Sequence, residues 1–389
     1  MTVSSYVVSV KTGNTYYANI LPFKNQVYGS NFPDSGFAVP PAPPLNPTIT
    51  LSATPDLNTR NPVAPVQVFY ATYPQGSQPS SPYMTTKAGD YTVTVAGGGG
   101  GASGGGGAGG MRTSFGTGNV NGGLTAVENS LILATATSYT VQVGAAGTAG
   151  TGTNPSPNKG GTGGDSEING TGITTITSQG GGGGASYNNY NQGGLNLQGS
   201  PGGSGGGSAP HNLQPSTAGG VRVTNPIQGF DGGAAVSYSS PYYGGGGGGA
   251  GGVGGVSNGA NTGLGGLGLQ NDITVATAGT GPYYAGGGGG GAYYSTGGAP
   301  GVGGSGVGGN GGTRSPSNIA AGAGATNTGS GGGGGSDNGY VGGAGGSGII
   351  VLRYPSTYTI DTSQLGTGLN STTSNSVSGY LITTITCSN

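Results

Sequence analysis

Side chains that commonly catalyse reactions are few in this chain, and they are not grouped. His211 is the single histidine and stands in a Pro/Asn stretch with no acid pair nearby, so we expect a solvated loop residue and not a general base. Asp165, Glu167 and Asp231 fall among glycines without basic or histidine companions, and they form neither a triad nor a glycosidase pair. We therefore predict that the protein is not an enzyme and has no catalytic residue.

Two glycine motifs suggest ligand binding only superficially. Residues 160–165 begin like a calcium-binding nonapeptide, but the motif occurs once and Glu167 stands where the repeat requires an apolar residue. Matches to G-x-G-x-x-G arise from composition alone when the chain has 98 glycines, and no glycine run ends in Gly-Lys-Ser/Thr. We predict no metal site and no cofactor.

Charge and cysteine content narrow the possible partners and locations. The net charge is −1, and the nine basic residues are spread singly from Lys11 to Arg353, so we predict no nucleic-acid partner. Cys387 is the single cysteine, which excludes an internal disulfide. Its place in a strand-like stretch near the C-terminus favours a small packed residue over a reactive thiol. No stretch approaches 18 apolar residues, and residues 1–20 lack a signal-peptide pattern. We expect no membrane insertion and no conventional secretion, which fits a particle assembled inside a host cell.

Uninterrupted glycine runs dominate the chain, at 97–101, 180–184, 244–249, 286–291 and 331–335. Ordering such a run costs about 1 to 2 kcal/mol per residue, and there is no side chain to offset it. In polyglycine II, which has three residues per turn, N–H and C=O groups radiate outward and can bond to neighbouring rods. We therefore expect the runs to pack together as rods; successive tight turns and flexible linkers are the alternatives.

The expected centres of these rods form the candidate structural core, which is Gly99, Gly182, Gly246, Gly288 and Gly333. A branched side chain inside a rod would push its neighbours apart. Gly288→Val should then impair folding more than Ser257→Val.

The remaining pattern is that of β-structure. Glycine interrupts every 3.6-residue apolar period, so helix signals are nearly absent. Strand candidates lie at 91–95, 131–133, 138–143, 173–178, 221–224, 273–277 and 348–354. We predict an all-β protein with a β-sandwich-like frame, packed polyglycine II segments and a small N-terminal β module. The expected parts are an attachment module with a Pro-rich segment (1–82), a glycine-rich domain (83–355) and a C-terminal strand extension (356–389).

Tyrosine is the most frequent aromatic residue: the chain has 22 tyrosines and no tryptophan. One interpretation is a clamp, in which the ring covers bare glycine backbone, and this is favoured for the paired tyrosines of the echoed Pro-Tyr-Tyr segments at 241–243 and 282–284. The other is recognition, since Tyr, Ser, Gly and Asn dominate adaptable binding loops. Tyr187, Tyr190 and Tyr238, in Asn/Ser surroundings, are the candidate receptor-contact residues.

The order of landmarks resembles the glycine-rich domain of phage tail fibres and other viral surface proteins. It consists of Tyr-Thr-Val-Thr-Val-Ala followed by glycines at 91–101, Tyr-Thr-Val-Gln-Val-Gly at 139–144, Gly-Gly-Thr-Gly-Gly-Asp-Ser at 160–166, a glycine block from Gly180, and Gly-Gly-Ala-Gly-Gly-Ser-Gly-Ile-Ile-Val-Leu-Arg-Tyr at 342–354. The resemblance spans about residues 83–355. It implies a β-framed polyglycine module on a virion, at or near the host-contact end.

The expected function is therefore that of a structural virion protein, a tail-fibre, spike or capsid-surface component that forms a rigid glycine-rich body. The alternatives are an adhesin that recognises a host surface glycan or protein, and more weakly an ice- or surface-binding protein. Expected partners are other virion proteins, a possible host receptor or glycan and further copies of the chain, because an open edge at strand 380–386 favours homo-oligomers. The expected location is the virion surface.

Overall fold

A computed structural model describes residues 16–17, 48–49, 90–94, 104–116, 119–134, 137–151, 158–186, 197–210, 217–236, 242–258, 260–292, 299–314, 318–336 and 341–387. The chain forms two compact units, Met1–Pro65 and Val66–Asn389. In the first unit, strand β1 (Tyr16–Tyr17) pairs antiparallel with β2 (Thr48–Ile49). The expected division at residues 82 and 355 stays a prediction.

The second unit is built on antiparallel strands. They are β3 (Asp90–Thr94), β4 (Met111–Thr113), β5 (Tyr139–Gln142), β6 (Ser166–Gly170), β7 (Ile176–Ser178), β8 (Leu269–Gln270), β9 (Tyr283–Tyr284), β10 (Ile349–Pro355), β11 (Leu369–Ser374) and β12 (Tyr380–Cys387). The main sheet has the order β11-β12-β10-β3-β4, a second sheet has the order β5-β6-β7, and β8 pairs with β9. Within the described residues, helix is limited to single 3-10 turns at Gly122–Leu124 and Gly304–Gly306. The all-β class is confirmed.

The central strand β10 of the five-stranded sheet is buried on both faces. Successive side chains of a strand point to opposite faces, and β10 is apolar at nearly every position. Ile350, Leu352 and Tyr354 pack with residues of the three-stranded sheet, including Ile168. Ile349 faces the other way, into a cluster with residues from the glycine-rich segments. The two sheets therefore form the sandwich-like frame, and the glycine-rich segments cover the outer face of the larger sheet.

Glycine-rich segments between the strands form a bundle, in which successive segments run alternately toward and away from the five-stranded sheet. The bundle segments are 104–110, 144–150, 160–164, 179–186, 197–201, 203–209, 217–221, 229–235, 243–250, 252–257, 262–268, 284–292, 299–304, 308–313, 319–325, 329–336 and 341–348. We call the end that contacts the main sheet the sheet end and the opposite end the far end.

Three expectations about strands change. Residues 273–277 form a turn between β8 and β9, because Asn271 accepts the N–H of Ile273 and closes the chain locally. Residues 221–224 make isolated bridges and no regular strand. Residues 131–133 are likewise outside the strands, although Leu131 and Leu133 are buried in the core between the sheets.

The C-terminal strand lies inside the main sheet. β12 pairs with β10 on one side and with β11 on the other, so it extends the glycine-rich module and has no open edge. An open edge at residues 380–386, which was expected to favour a homo-oligomer, is therefore not present in the structure. Among the described residues there is also no helix with the length and apolar content needed to cross a membrane.

Candidate functional site

Segment 104–110 shows the physical principle of the bundle. Its backbone amides donate in strict rotation to three neighbours, and the same neighbour returns at every third residue, which is the period of polyglycine II. The bonds are Gly104 to Ala185, Gly107 to Gly182 and Gly110 to Gln179; Gly105 to Gly245 and Ala108 to Gly248; and Gly106 to Gly332 and Gly109 to Gly329, all at 2.8 to 3.0 Å. The interior is therefore held by main-chain bonds in three directions.

Segment 243–250 is enclosed on all sides by similar segments. Its amides donate to 284–292, 203–209 and 252–257, and its carbonyls accept from 104–110, 229–235 and 262–268. Donors and acceptors thus point to different neighbours, as in a close-packed array of rods. Every backbone N–H and C=O group of residues 244–250 pairs with another backbone group, without any side chain.

Packing in the bundle leaves no room for a side chain at the rod centres. A Cβ atom at Gly288 would overlap the carbonyl of Gly332, and one at Gly246 would overlap the carbonyl of Leu264. Gly182 and Gly333 meet neighbouring backbone in the same way, at Ser200 and Asn310. The interiors of these rods require glycine because of this close approach of backbones.

The echoed Tyr-Tyr-glycine segments are direct neighbours that run in opposite directions. Gly247 donates to Gly288 at 2.8 Å, and the same antiparallel pairing continues to either side. As a result, Tyr243 begins its rod at the far end, whereas Tyr284 begins its rod at the sheet end. Both rings are buried, and Tyr284 packs with Ile349 and the rest of that cluster.

The structure describes four of the five glycines predicted for the structural core. Gly182, Gly246, Gly288 and Gly333 lie on four different segments of one bundle. Gly99 and the candidate receptor-contact residues, Tyr187, Tyr190 and Tyr238, lie outside the described residues.

Sequence reasoning missed most of the bundle because it searched for long glycine runs. The segment 104–110 has four consecutive glycines followed by Ala-Gly-Gly, and several outer segments have one larger residue in every three, as in Val253-Gly-Gly-Val256 and Leu264-Gly-Gly-Leu267. A search for Gly-Gly pairs that alternate with one larger residue would have found them. In an outer rod, one of the three residues of each turn faces solvent and can therefore carry a side chain.

Four aspartates, Asp165, Asp231, Asp272 and Asp361, stabilise turns and segment ends. Asp165 accepts the N–H of Gly180 at 2.8 Å, at the start of a glycine run. Asp272 accepts two backbone N–H groups, and Asp231 and Asp361 accept one each. Within the described part of the chain, no three His, Cys, Asp or Glu residues are grouped as metal ligands.

Two concave regions lie beside the sheets. A groove of about 790 Å³ runs past the ion pair of Arg112 and Glu128, whose Nε and Oε1 atoms are 2.6 Å apart. A smaller pocket of about 200 Å³ opens between Tyr139 and Leu365 and is lined mainly by aliphatic side chains. The charges of Arg112 and Glu128 are satisfied by each other, so the groove offers a largely neutral surface.

Cys387 is a packed thiol at the end of β12. Its Sγ lies 3.4 Å from the carbonyl oxygens of Val143 and Gly144. Burial raises the pKa of this thiol, with an opposing contribution from a backbone hydrogen bond. A raised pKa reduces the thiolate fraction and therefore the reactivity of the sulfur.

A family model described as "glycine-rich domain" matches residues 77–355, which is well over half of the chain. The chain belongs to this family. No curated protein is detectably similar to it. The matched range of this glycine-rich domain protein contains the whole bundle and ends with the last residue of β10.

Alanine substitutions of glycine should follow a graded series set by the space around each Cβ. Gly288→Ala should lower the free energy of unfolding by about 3 kcal/mol or more, because the new methyl group overlaps the Gly332 carbonyl. Gly252→Ala should cost about 1 kcal/mol, because the nearest atom, the Leu267 nitrogen, is 3.3 Å away. Denaturant unfolding followed by circular dichroism measures all variants.

The matched control is Gly366→Ala, since Gly366 is exposed and has nothing within 4 Å of its Cβ position. Its stability should stay within about 0.5 kcal/mol of the wild type. Ser257 is unsuitable as a tolerant reference, because it is fully buried and its Oγ donates to the Tyr243 carbonyl at 2.7 Å. Equal losses at Gly288 and Gly366 would contradict a main-chain interior.

Alkaline pH should destabilise the protein through Tyr284. Burial raises the pKa of Tyr284 from 10.0 to about 12, so the folded state keeps the neutral phenol while the unfolded state ionises. The contribution of the neutral Tyr284 phenol to the free energy of unfolding is therefore fully present below pH 10. It decreases as the pH rises from about 10 to about 12, by up to about 3 kcal/mol. In melting experiments, the Tyr284→Phe variant should lose less stability than the wild type between these two pH values. The neighbouring exposed Tyr283→Phe is the control, and a response equal to that of Tyr284→Phe would argue against the assignment.

Proposed function

We propose that this protein is a structural component of a virion surface, a tail-fibre, spike or capsid-surface part whose glycine-rich bundle forms a rigid body. The observation that carries the proposal is the cross-bonding of segment 104–110 to neighbours in three directions. A body of this kind resists local opening, because no segment can leave without breaking bonds to several others. The resemblance in landmark order to viral glycine-rich domains supports the same function.

Incorporation into particles tests this proposal. Particles purified by density gradient from cells that produce the protein should contain its peptides at a constant ratio to the major capsid protein, as measured by quantitative mass spectrometry. The bundle should also remain uncut by protease under conditions that digest a Gly288→Ala variant. Recovery of the chain exclusively from the soluble fraction, with no particle-associated peptides, would refute the proposal.

A second candidate function is adhesion to a host receptor or glycan, and it is favoured by one feature of the bundle. Segments 179–186, 229–235 and 284–292 all end at the far end, as the bonds of Ala185 to Gly207 and of Ala292 to Gly312 show. The connecting sequences after these segments are rich in Tyr, Asn and Ser, with Tyr-Asn-Asn-Tyr-Asn-Gln from residue 187 as the longest example. Residues of these types suit adaptable recognition.

The adhesin alternative predicts that Tyr187→Ala, Tyr190→Ala and Tyr238→Ala together abolish binding of the purified protein to host cells or glycans. Melting temperature should not change. Tyr283→Ala, at the sheet end and 42% exposed, is the control and should bind normally. Unchanged binding by the triple variant would exclude these tyrosines, and thermal hysteresis without cell binding would favour the weaker ice-binding alternative.

A further inference from the structure

Five aliphatic side chains stand out from one side of the bundle. Val253, Val256, Leu264, Leu267 and Val302 are each 58 to 62% exposed, and we call them the aliphatic face. Their three segments are bonded side by side. Gly255 donates to the Leu264 carbonyl at 2.7 Å, Gly251 donates to the Leu267 carbonyl at 2.8 Å, and Gly265 donates to the Val302 carbonyl at 2.8 Å.

The spacing of the face follows from the rod geometry. Val253 and Val256 are three residues apart, as are Leu264 and Leu267, so each rod presents one large side chain per turn. With a rise of about 3.1 Å per residue, successive side chains on one rod stand about 9 Å apart. Pairs of glycines form the floor between them. The surface therefore alternates raised aliphatic groups with flat, side-chain-free gaps.

Charge limits what can cover this face. Residues 251–271 and 299–313 contain no Asp, Glu, Lys or Arg. The exposed Asp231 lies beside them on segment 229–235, where its carbonyl accepts the Gly254 N–H at 2.9 Å. Over the rest of the face, a charged partner would lose hydration without gaining an opposite charge. A clustered exposed apolar surface of this type is a common mark of a protein–protein contact. The partner that fits is itself uncharged, aliphatic and periodically spaced.

A second copy of the chain meets these requirements. Its own aliphatic face carries side chains with the same three-residue period on segments 252–257 and 262–268, and the same Gly-Gly gaps between them. A two-fold contact sets the same patch of both copies against each other, and the side chains of one copy can enter the glycine gaps of the other. We propose that the aliphatic face is the interface of a homodimer formed by such interdigitation.

The proposed interface uses five exposed aliphatic side chains from each copy. Contacts at the low end of interface size are transient, so the dimer forms and dissociates with concentration. The contact uses the side of the bundle and neither of its ends. It does not depend on the proposed virion function, and it does not involve β12, which is paired on both sides.

Sedimentation velocity of the full chain tests the proposal, at concentrations from about 1 to about 200 μM, where weak interfaces associate. The wild type should shift from monomer to dimer across this range. Leu264→Asn combined with Leu267→Asn should weaken association at least tenfold. These residues contribute backbone carbonyls to the bundle bonds, and their exposed side chains can change without breaking those bonds.

The matched control is Val341→Asn. Val341 is 50% exposed on segment 341–348, which bonds to 144–150 and 329–336 and not to the segments of the face. This variant should dimerise as the wild type does. If the double variant has a lower melting temperature than the wild type, the single variant Val253→Asn replaces it. Its dimerisation is then compared with that of Val341→Asn, so that each variant changes one exposed valine.

Two results would overturn the proposal. The first is a wild type that stays monomeric over the whole range. The second is equal dimerisation of the Leu264/Leu267 double variant and the wild type. In the first case, thermal hysteresis or vesicle co-sedimentation that is lost in the double variant would assign these same side chains to ice or to neutral lipid instead.

Discussion

The structure depends on one constraint, the need of every buried N–H and C=O group for a partner when no side chain is available to provide one. Polyglycine II meets this need because its polar groups radiate from the rod at intervals of one third of a turn. Gly106 illustrates the consequence. It donates to Gly332 and accepts from Gly288, so three segments are joined at one residue. The same close approach excludes any Cβ atom at Gly288.

The five-stranded sheet gives the bundle a base that glycine alone cannot provide. Rods without side chains can slide along or exchange places with one another at little cost, since each presents the same groups. At the sheet end this equivalence is broken. Ala108, Ala250 and Ala285 are fully buried and pack with Ile349 and Val351 of β10. The hydrophobic contact sets the depth of these three rods, and the hydrogen bonds to their neighbours then have a unique register.

Because the interior is main chain, side chains remain for the surface and for the turns. Asp165 and Asp272 accept backbone N–H groups where segments begin or turn, and Arg112 pairs with Glu128 near the edge of the sheet. These four side chains thus serve the architecture. Such a body can be rigid with few charges, and its function then depends on what its sides and ends present to partners.

The all-β class and the packing of glycine runs could be read from the sequence for a physical reason. A glycine run gains nothing from side-chain burial, so order requires a neighbour with free backbone groups, and Gly182, Gly246, Gly288 and Gly333 have such neighbours. Alternating apolar residues likewise marked β3 and β5, and a continuous apolar run marked β10. Segments with one larger residue in three, such as 262–268, escaped notice because no long run identifies them.

The identity of the neighbours came from the three-dimensional fold alone. Any glycine rod can bond to any other, and no side chain in 244–249 or 286–291 encodes that these two runs lie side by side in opposite directions. The placement of β12 between β10 and β11, instead of at an open edge, is equally invisible in its own residues. In both cases the partner is selected by the turns and by the apolar base of the sheet, which bring distant parts of the chain together.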